Sequence, residues 1–190
     1  MDINQFIKEL NNVDWHKYDN KVYFQYRHDG INTFSKIIPK VLESLAFLDK
    51  EEKSNEELIK NGKNIGLLLN GKMYNEVLST IGNNHGGTYY TVIEKALPFI
   101  LKVALFGNHV VARNCAINCL IDLYHFEADD GSHKNNVSEP FIKTKKEEQL
   151  ETYVKNIIEE NKNNFIKLSM EDIINRKLLK KFIEEIDGKE

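Results

Sequence analysis

Cysteine, proline and long apolar runs are scarce in this chain, and each shortage removes a class of protein. Two cysteines in 190 residues, Cys115 and Cys119, cannot staple a secreted scaffold and fit a reducing compartment better. Three prolines and ten glycines leave no room for a proline-rich or glycine-rich linker. No apolar run approaches the roughly 20 residues that a membrane-spanning helix needs, so no membrane partner is expected. Met1-Asp2-Ile3-Asn4-Gln5 has neither the basic start nor the apolar centre of a signal peptide, which makes the cytoplasm the expected location. Basic residues are not in excess: 26 Lys and Arg stand against 29 Asp and Glu, for a net charge of -3. General nucleic-acid binding usually leaves a basic footprint, so no nucleic-acid partner is expected either.

What remains is helical periodicity. Ile3, Phe6, Ile7 and Leu10 recur at helical spacing behind Asp2, which can cap the first turn. Residues 13–30 are rich in aromatics, including Trp15 and Tyr18, but lack clean periodicity and read as irregular structure with one helical turn. Ile37, Ile38, Val41, Leu42, Leu45 and Leu48 form a helical face, with Pro39 placed in the first turn. Ser54 with Glu57 matches a capping box ahead of a helix weakened by Gly62 and Gly66. Met73 to Ile81 is another helix, ended by Gly82. A long periodic stretch from Tyr89 to Phe106 contains Pro98, which should kink it or divide it at Leu97. Val110 to Tyr124 is apolar almost all round and reads as a central buried helix. Residues 128–140 carry turn signals throughout. Beyond them come a helix around 150–158, a short one at 165–168, and a last one opened by Ser169-Met170-Glu171-Asp172 and running to Ile186. No segment alternates as a strand would. The expected fold class is all-α.

The segment Asn83-Asn84-His85-Gly86-Gly87-Thr88-Tyr89-Tyr90 between two helices admits two readings. It is a tight connection, with glycines free to turn and Thr88 capping the next helix. Alternatively, two glycines feeding a helix N-terminus beside His85 make an anion site. Together with Ala96-Leu97-Pro98-Phe99-Ile100 and the helix Val111 to Tyr124, this segment resembles bacterial HEAT-like repeat proteins. These pair a His-x-Gly-Thr-x-Tyr linker with a helix opening at Ala-hydrophobic-Pro-Phe, then a helix rich in Arg, Ala and Leu. The Asp14-Trp15 pair shortly before Tyr18 is similar to the start of such proteins, so the resemblance spans roughly residues 13–126. It implies a short α-solenoid of stacked antiparallel helix pairs with a protein-binding role, of the kind found among toxin-immunity proteins. Only about two repeat units are recognisable, where a solenoid usually needs three or more. The implied organisation is one domain: an N-terminal cap at 1–30, helix pairs at 31–126, a loop at 127–142 and C-terminal capping helices at 143–190.

The candidate chemistry is thin. Cys115 and Cys119 share one helical face, but their spacing is not Cys-x-x-Cys, and buried cysteine packs as a small hydrophobe. No His-Glu-x-x-His, Gly-x-Gly-x-x-Gly or serine-nucleophile motif occurs, so neither catalytic residues nor a metal or other cofactor are assigned. Arg113 is polar within an apolar helix; it either pairs with Asp122 or Glu94 or projects as a ligand or partner contact. Asp122, Glu127, Asp129 and Asp130 concentrate negative charge, which would steer a basic partner. The expected function is therefore non-enzymatic binding of a cognate toxin domain, with Tyr89, Tyr90, Glu127, Asp129 and Asp130 as contacts and His85 and Arg113 as ligand candidates. The alternatives are a HEAT-like scaffold or adaptor, or a helical ligand-binding protein or enzyme built on the His85 linker.

Overall fold

The computed structural model describes residues 1–19, 34–48, 71–129 and 143–188. The expected capping box at Ser54, the helix after it, most of the 13–30 aromatic stretch and Asp130 lie outside the described residues. Within them the fold is all-α apart from one small sheet.

Helix α1 (Ile3–Asn11) starts where Asp2 accepts the Asn4 and Gln5 N–H groups at 3.0 and 3.2 Å, and it buries Phe6 and Leu10. A single 3-10 turn, Trp15–Tyr18, follows, held by the Trp15 indole N–H donating to the Leu10 carbonyl at 3.0 Å. Helix α2 (Phe34–Ala46) begins earlier than expected, so Pro39 is its sixth residue rather than part of its first turn. Its first turn is satisfied from a distance: Asp19 accepts both the Ser35 N–H at 2.9 Å and the Ser35 hydroxyl at 2.7 Å. Helix α3 spans Gly71–Ile81.

Gly82 ends α3 as expected, but a strand starts there. Strands β1 (Gly82–Asn83), β2 (Thr88–Tyr90) and β3 (Glu127–Asp129) form a three-stranded sheet, β2 antiparallel to β1 and parallel to β3. This corrects the expectation that no strand occurs, and it makes the first residues of the 127–142 loop a strand. Pieces of two and three residues are too short to show alternation, and β3 pairs with a segment distant in sequence. A Cβ at Gly82 would lie 2.1 Å from the Thr88 carbonyl oxygen, so the pairing of β1 with β2 requires glycine there.

Helix α4 (Ile93–Phe106) therefore starts after the sheet, not at Tyr89, and Thr88 is no cap. It also runs unbroken through Pro98, so of the two expected effects, a kink or a division at Leu97, the division does not occur. Proline lacks the N–H that would reach the Glu94 carbonyl, and the Tyr153 hydroxyl donates to that carbonyl instead, at 3.1 Å. Helix α5 (Val110–His125) is buried nearly all round and packs on α2, α3 and α4, and on the later α6 and α8. Helix α6 (Lys145–Glu160) opens with a capping box, Thr144 accepting the Glu147 N–H and the Glu147 carboxylate accepting the Thr144 N–H. Helices α7 (Lys162–Glu171) and α8 (Arg176–Ile186) complete the chain. Ser169 to Glu171, expected to open the last helix, instead close α7; Asp172 then accepts the Asn175 N–H at 3.0 Å in the turn between them.

Six of the helices form three pairs that meet through like members, while α6 packs on α4, α5 and α7 outside any pair. Within the pairs α2 packs on α3, α4 on α5, and α7 on α8. Between pairs, α2 rests on α4 and α3 on α5; then α7 rests on α4 and α8 on α5. The leading helices run the same way: Phe34 at the start of α2 lies 6.0 Å, ring to ring, from Tyr90 just before α4, while Arg113 ties Gly107 after α4 to Asp172 after α7. A constant offset of 59 positions relates α2 to α4, carrying Pro39 onto Pro98 and the buried Phe34, Ile38, Leu42, Leu45 and Ala46 onto the buried Ile93, Leu97, Leu101, Ala104 and Leu105. One contiguous core runs from Phe6 to Phe182.

Candidate functional site

The small sheet brings Tyr89, Tyr90, Glu127 and Asp129 together, but not as a binding face. Tyr89, expected at the surface, is 1% exposed, and its hydroxyl is buried without a hydrogen-bond partner. Burial, and then the charges of Glu151 and Glu127, push that hydroxyl far above the ordinary tyrosine value. Tyr89, the middle residue of the central strand, is therefore a core residue rather than a surface one. Tyr90, half-buried, lies against Phe34.

Glu127 is exposed but meets the Lys143 ammonium at 3.1 Å, and Glu151 meets the same ammonium at 3.0 Å. Those carboxylates, Glu151 first, raise the lysine's pKa. Glu151 also accepts the Ala128 N–H at 3.0 Å, on a backbone group that β2 does not use. Asp129 is half-buried on the same strand. Asp122 sits further back, accepting the Tyr74 hydroxyl, and burial raises its pKa while His125 pulls it down. Of the acids expected to form one patch, Asp122 accepts the Tyr74 hydroxyl and Glu127 is offset by Lys143.

The glycine linker has no anion cradle. The Gly86 N–H donates to the Asn83 side chain at 3.1 Å, the Gly87 N–H to the Asn84 carbonyl, and Gly87 turns the chain at φ 63°. The next helix starts only at Ile93, so neither N–H lies at a helix N-terminus. His85 stands exposed on a 3-10 turn at Asn84–Gly86.

Arg113 pairs with neither Asp122 nor Glu94. Its Nε donates to Asp172 at 2.8 Å and its Nη1 to the Gly107 carbonyl at 2.7 Å. Asn114 donates to Asn175, which is fully buried and itself donates to Asp172 at 2.9 Å and to the Val110 carbonyl at 3.3 Å. This network docks the α7–α8 pair onto α5 and occupies both Arg113 and Asn114 of that helix. Cys115 and Cys119 are both buried, and burial, with Cys115 alongside, pushes the Cys119 thiol well up, which favours its neutral form. Among the described residues no group of three or more His, Cys, Asp or Glu is placed to hold a metal ion, and no helix is long and apolar enough to cross a membrane.

A different set of side chains does reach solvent. Phe47, Phe106, Met170 and Ile173 are the large hydrophobics left exposed among the described residues, at 47%, 56%, 68% and 76%. They sit at or just beyond the C-terminal ends of α2, α4 and α7, the three leading helices that run the same way, and so share one edge of the stack. Phe47 and Phe106 are related by the same 59-position offset as the two helices. The sequence held a signal for this, a proline followed eight residues later by phenylalanine in both helices, but without burial these residues look like any other apolar position. No family model, no curated protein and no solved structure matches this chain.

Proposed function

We propose that this chain is a non-enzymatic protein-binding module, a short HEAT-like array that neutralises a cognate bacterial toxin domain by direct binding. The observation that carries the reading is the like-on-like stacking of α2/α3, α4/α5 and α7/α8. Stacking of that kind sets equivalent positions of successive pairs in a row, and repeat arrays use such extended surfaces for recognition. The exposed hydrophobics along one edge fit this use, because contiguous apolar surface on a soluble protein commonly marks an interaction site. The toxin as partner rests on the likeness of the linker and the two helices after it to bacterial HEAT-like repeat proteins, a kind found among toxin-immunity proteins.

The test is to express the chain with the toxin domain encoded immediately upstream of its gene. The expected result is a stoichiometric complex that survives gel filtration and abolishes the toxin's activity. Full toxin activity in a molar excess of this protein would end the reading.

A further inference from the structure

The corner where α7 turns into α8 combines two properties that occur together nowhere else among the exposed hydrophobics. Met170 and Ile173 are the two most exposed of those side chains, and Phe106 directly precedes Gly107, which Arg113 ties to Asp172. Around them stand Lys167, one turn before Met170 on the same face of α7, and Lys177 and Lys180 on the first turns of α8. All three lysines are exposed, and none makes an ion pair among the described residues. Glu171 is an exposed acid at this corner, and Asp172 is buried against Arg113. With Arg176, whose guanidinium meets the Ser169 and Met170 carbonyls, and the exposed Glu184 one turn beyond Lys180, four cations stand against two exposed acids, a surplus of two positive charges on a chain whose net charge is -3. Local charge of the opposite sign to the whole molecule orients an approaching partner, and the apolar side chains between the lysines offer what a desolvated contact needs.

We propose that this corner, Phe106, Met170 and Ile173 bordered by Lys167, Lys177 and Lys180, docks an acidic protein surface that presents apolar side chains between carboxylates. The inference rests on the protein-binding reading above for the class of partner, and it reverses the sign of the partner's charge expected from the sequence. The partner's leucine- or phenylalanine-like groups pack on Met170 and Ile173, while its carboxylates meet the lysines at the rim. Rim pairs of this kind mainly set association rate and salt dependence, and the apolar contacts set residence time.

The full-length protein is titrated by fluorescence anisotropy with three labelled helical peptides: one of leucine and glutamate, one with lysine for each glutamate, and one with serine for each leucine. The expected result is saturable binding of the leucine–glutamate peptide alone, weakened by added salt. Met170→Ser with Ile173→Ser is expected to weaken it at least about tenfold, and Lys177→Glu with Lys180→Glu likewise. Both pairs are on the surface, and an unchanged melting curve checks that each variant is folded. Equal binding of the lysine peptide, wild-type affinity in both variants, or no binding by any peptide overturns the proposal. So does the same residue dependence for adsorption to phosphatidylserine vesicles or for self-association in light scattering. If the variants neutralise the toxin as well as the wild type, the surface is wrong and the immunity reading stands; if wild type leaves the toxin active, that reading fails on its own.

Discussion

Tyr89 and Asp122 carry polar groups whose surroundings oppose their ordinary chemistry, and both give sharp predictions. The Tyr89 hydroxyl is buried with no partner, so removing it removes an unmet desolvation cost. Tyr89→Phe is expected to leave stability unchanged or raise it by up to ~1 kcal/mol, as measured by urea unfolding. A loss beyond that range would mean the hydroxyl has a partner in solution. Asp122 predicts a pH dependence. Burial raises its folded-state pKa above the ordinary value of 3.8, with His125 pulling the other way. The folded chain then holds the proton more tightly than the unfolded one, so this group's contribution is fully present below 3.8 and is lost as the pH rises through the folded value. Asparagine accepts the Tyr74 hydroxyl equally well but does not titrate. Asp122→Asn should therefore flatten the fall in stability just above pH 3.8, and identical slopes for the two proteins would refute this.

Among the elements, α6 shows what a sequence can hide. Its apolar residues, Leu150, Val154 and Ile158, place a helix in the right region, but it begins at Lys145, one turn earlier. The signal for that start is Thr144 with Glu147, a reciprocal cap in which Glu147 is completely buried. Thr144→Ala is expected to cost about 1 kcal/mol, with the loss seen as faster amide exchange in the first turn of α6. A uniform loss of protection along the chain would instead assign Thr144 a global role. The same element explains Pro98: the carbonyl that the proline leaves without its helical partner is met by Tyr153, a residue of α6. Helix α4 stays continuous because a second helix supplies the missing donor, and no local pattern announces that.

For the molecule as a whole, the third pair decides the architecture. Helices α7 and α8, expected as C-terminal caps, meet α4 and α5 respectively, and α6 packs on both α4 and α5 as well. The Arg113–Asp172 bridge holds that pair in place, with the Asp172 side chain 4% and the Arg113 side chain 19% exposed. Arg113→Ala leaves a buried carboxylate without its cation, so a loss of roughly 2–4 kcal/mol is expected in urea unfolding. The loss should be nearly as large in Asp172→Ala, and the double variant should cost less than the two added together. Additive losses would show that the two residues do not act as a pair.

Much of this was legible beforehand, for a physical reason. Helix periodicity is a local property, so the all-α class, the buried α5 and most helix positions follow from the spacing of apolar residues. The 59-position correspondence between α2 and α4 is likewise written in the chain. Contacts between distant segments are a different matter. Burial of Tyr89, the pairing of Thr88–Tyr90 with Glu127–Asp129, the choice of Asp172 over Asp122 or Glu94 for Arg113, and the shared edge of Phe47, Phe106, Met170 and Ile173 all depend on which elements meet. A side chain's partner is set by packing across the fold, and the sequence around it carries no record of that packing.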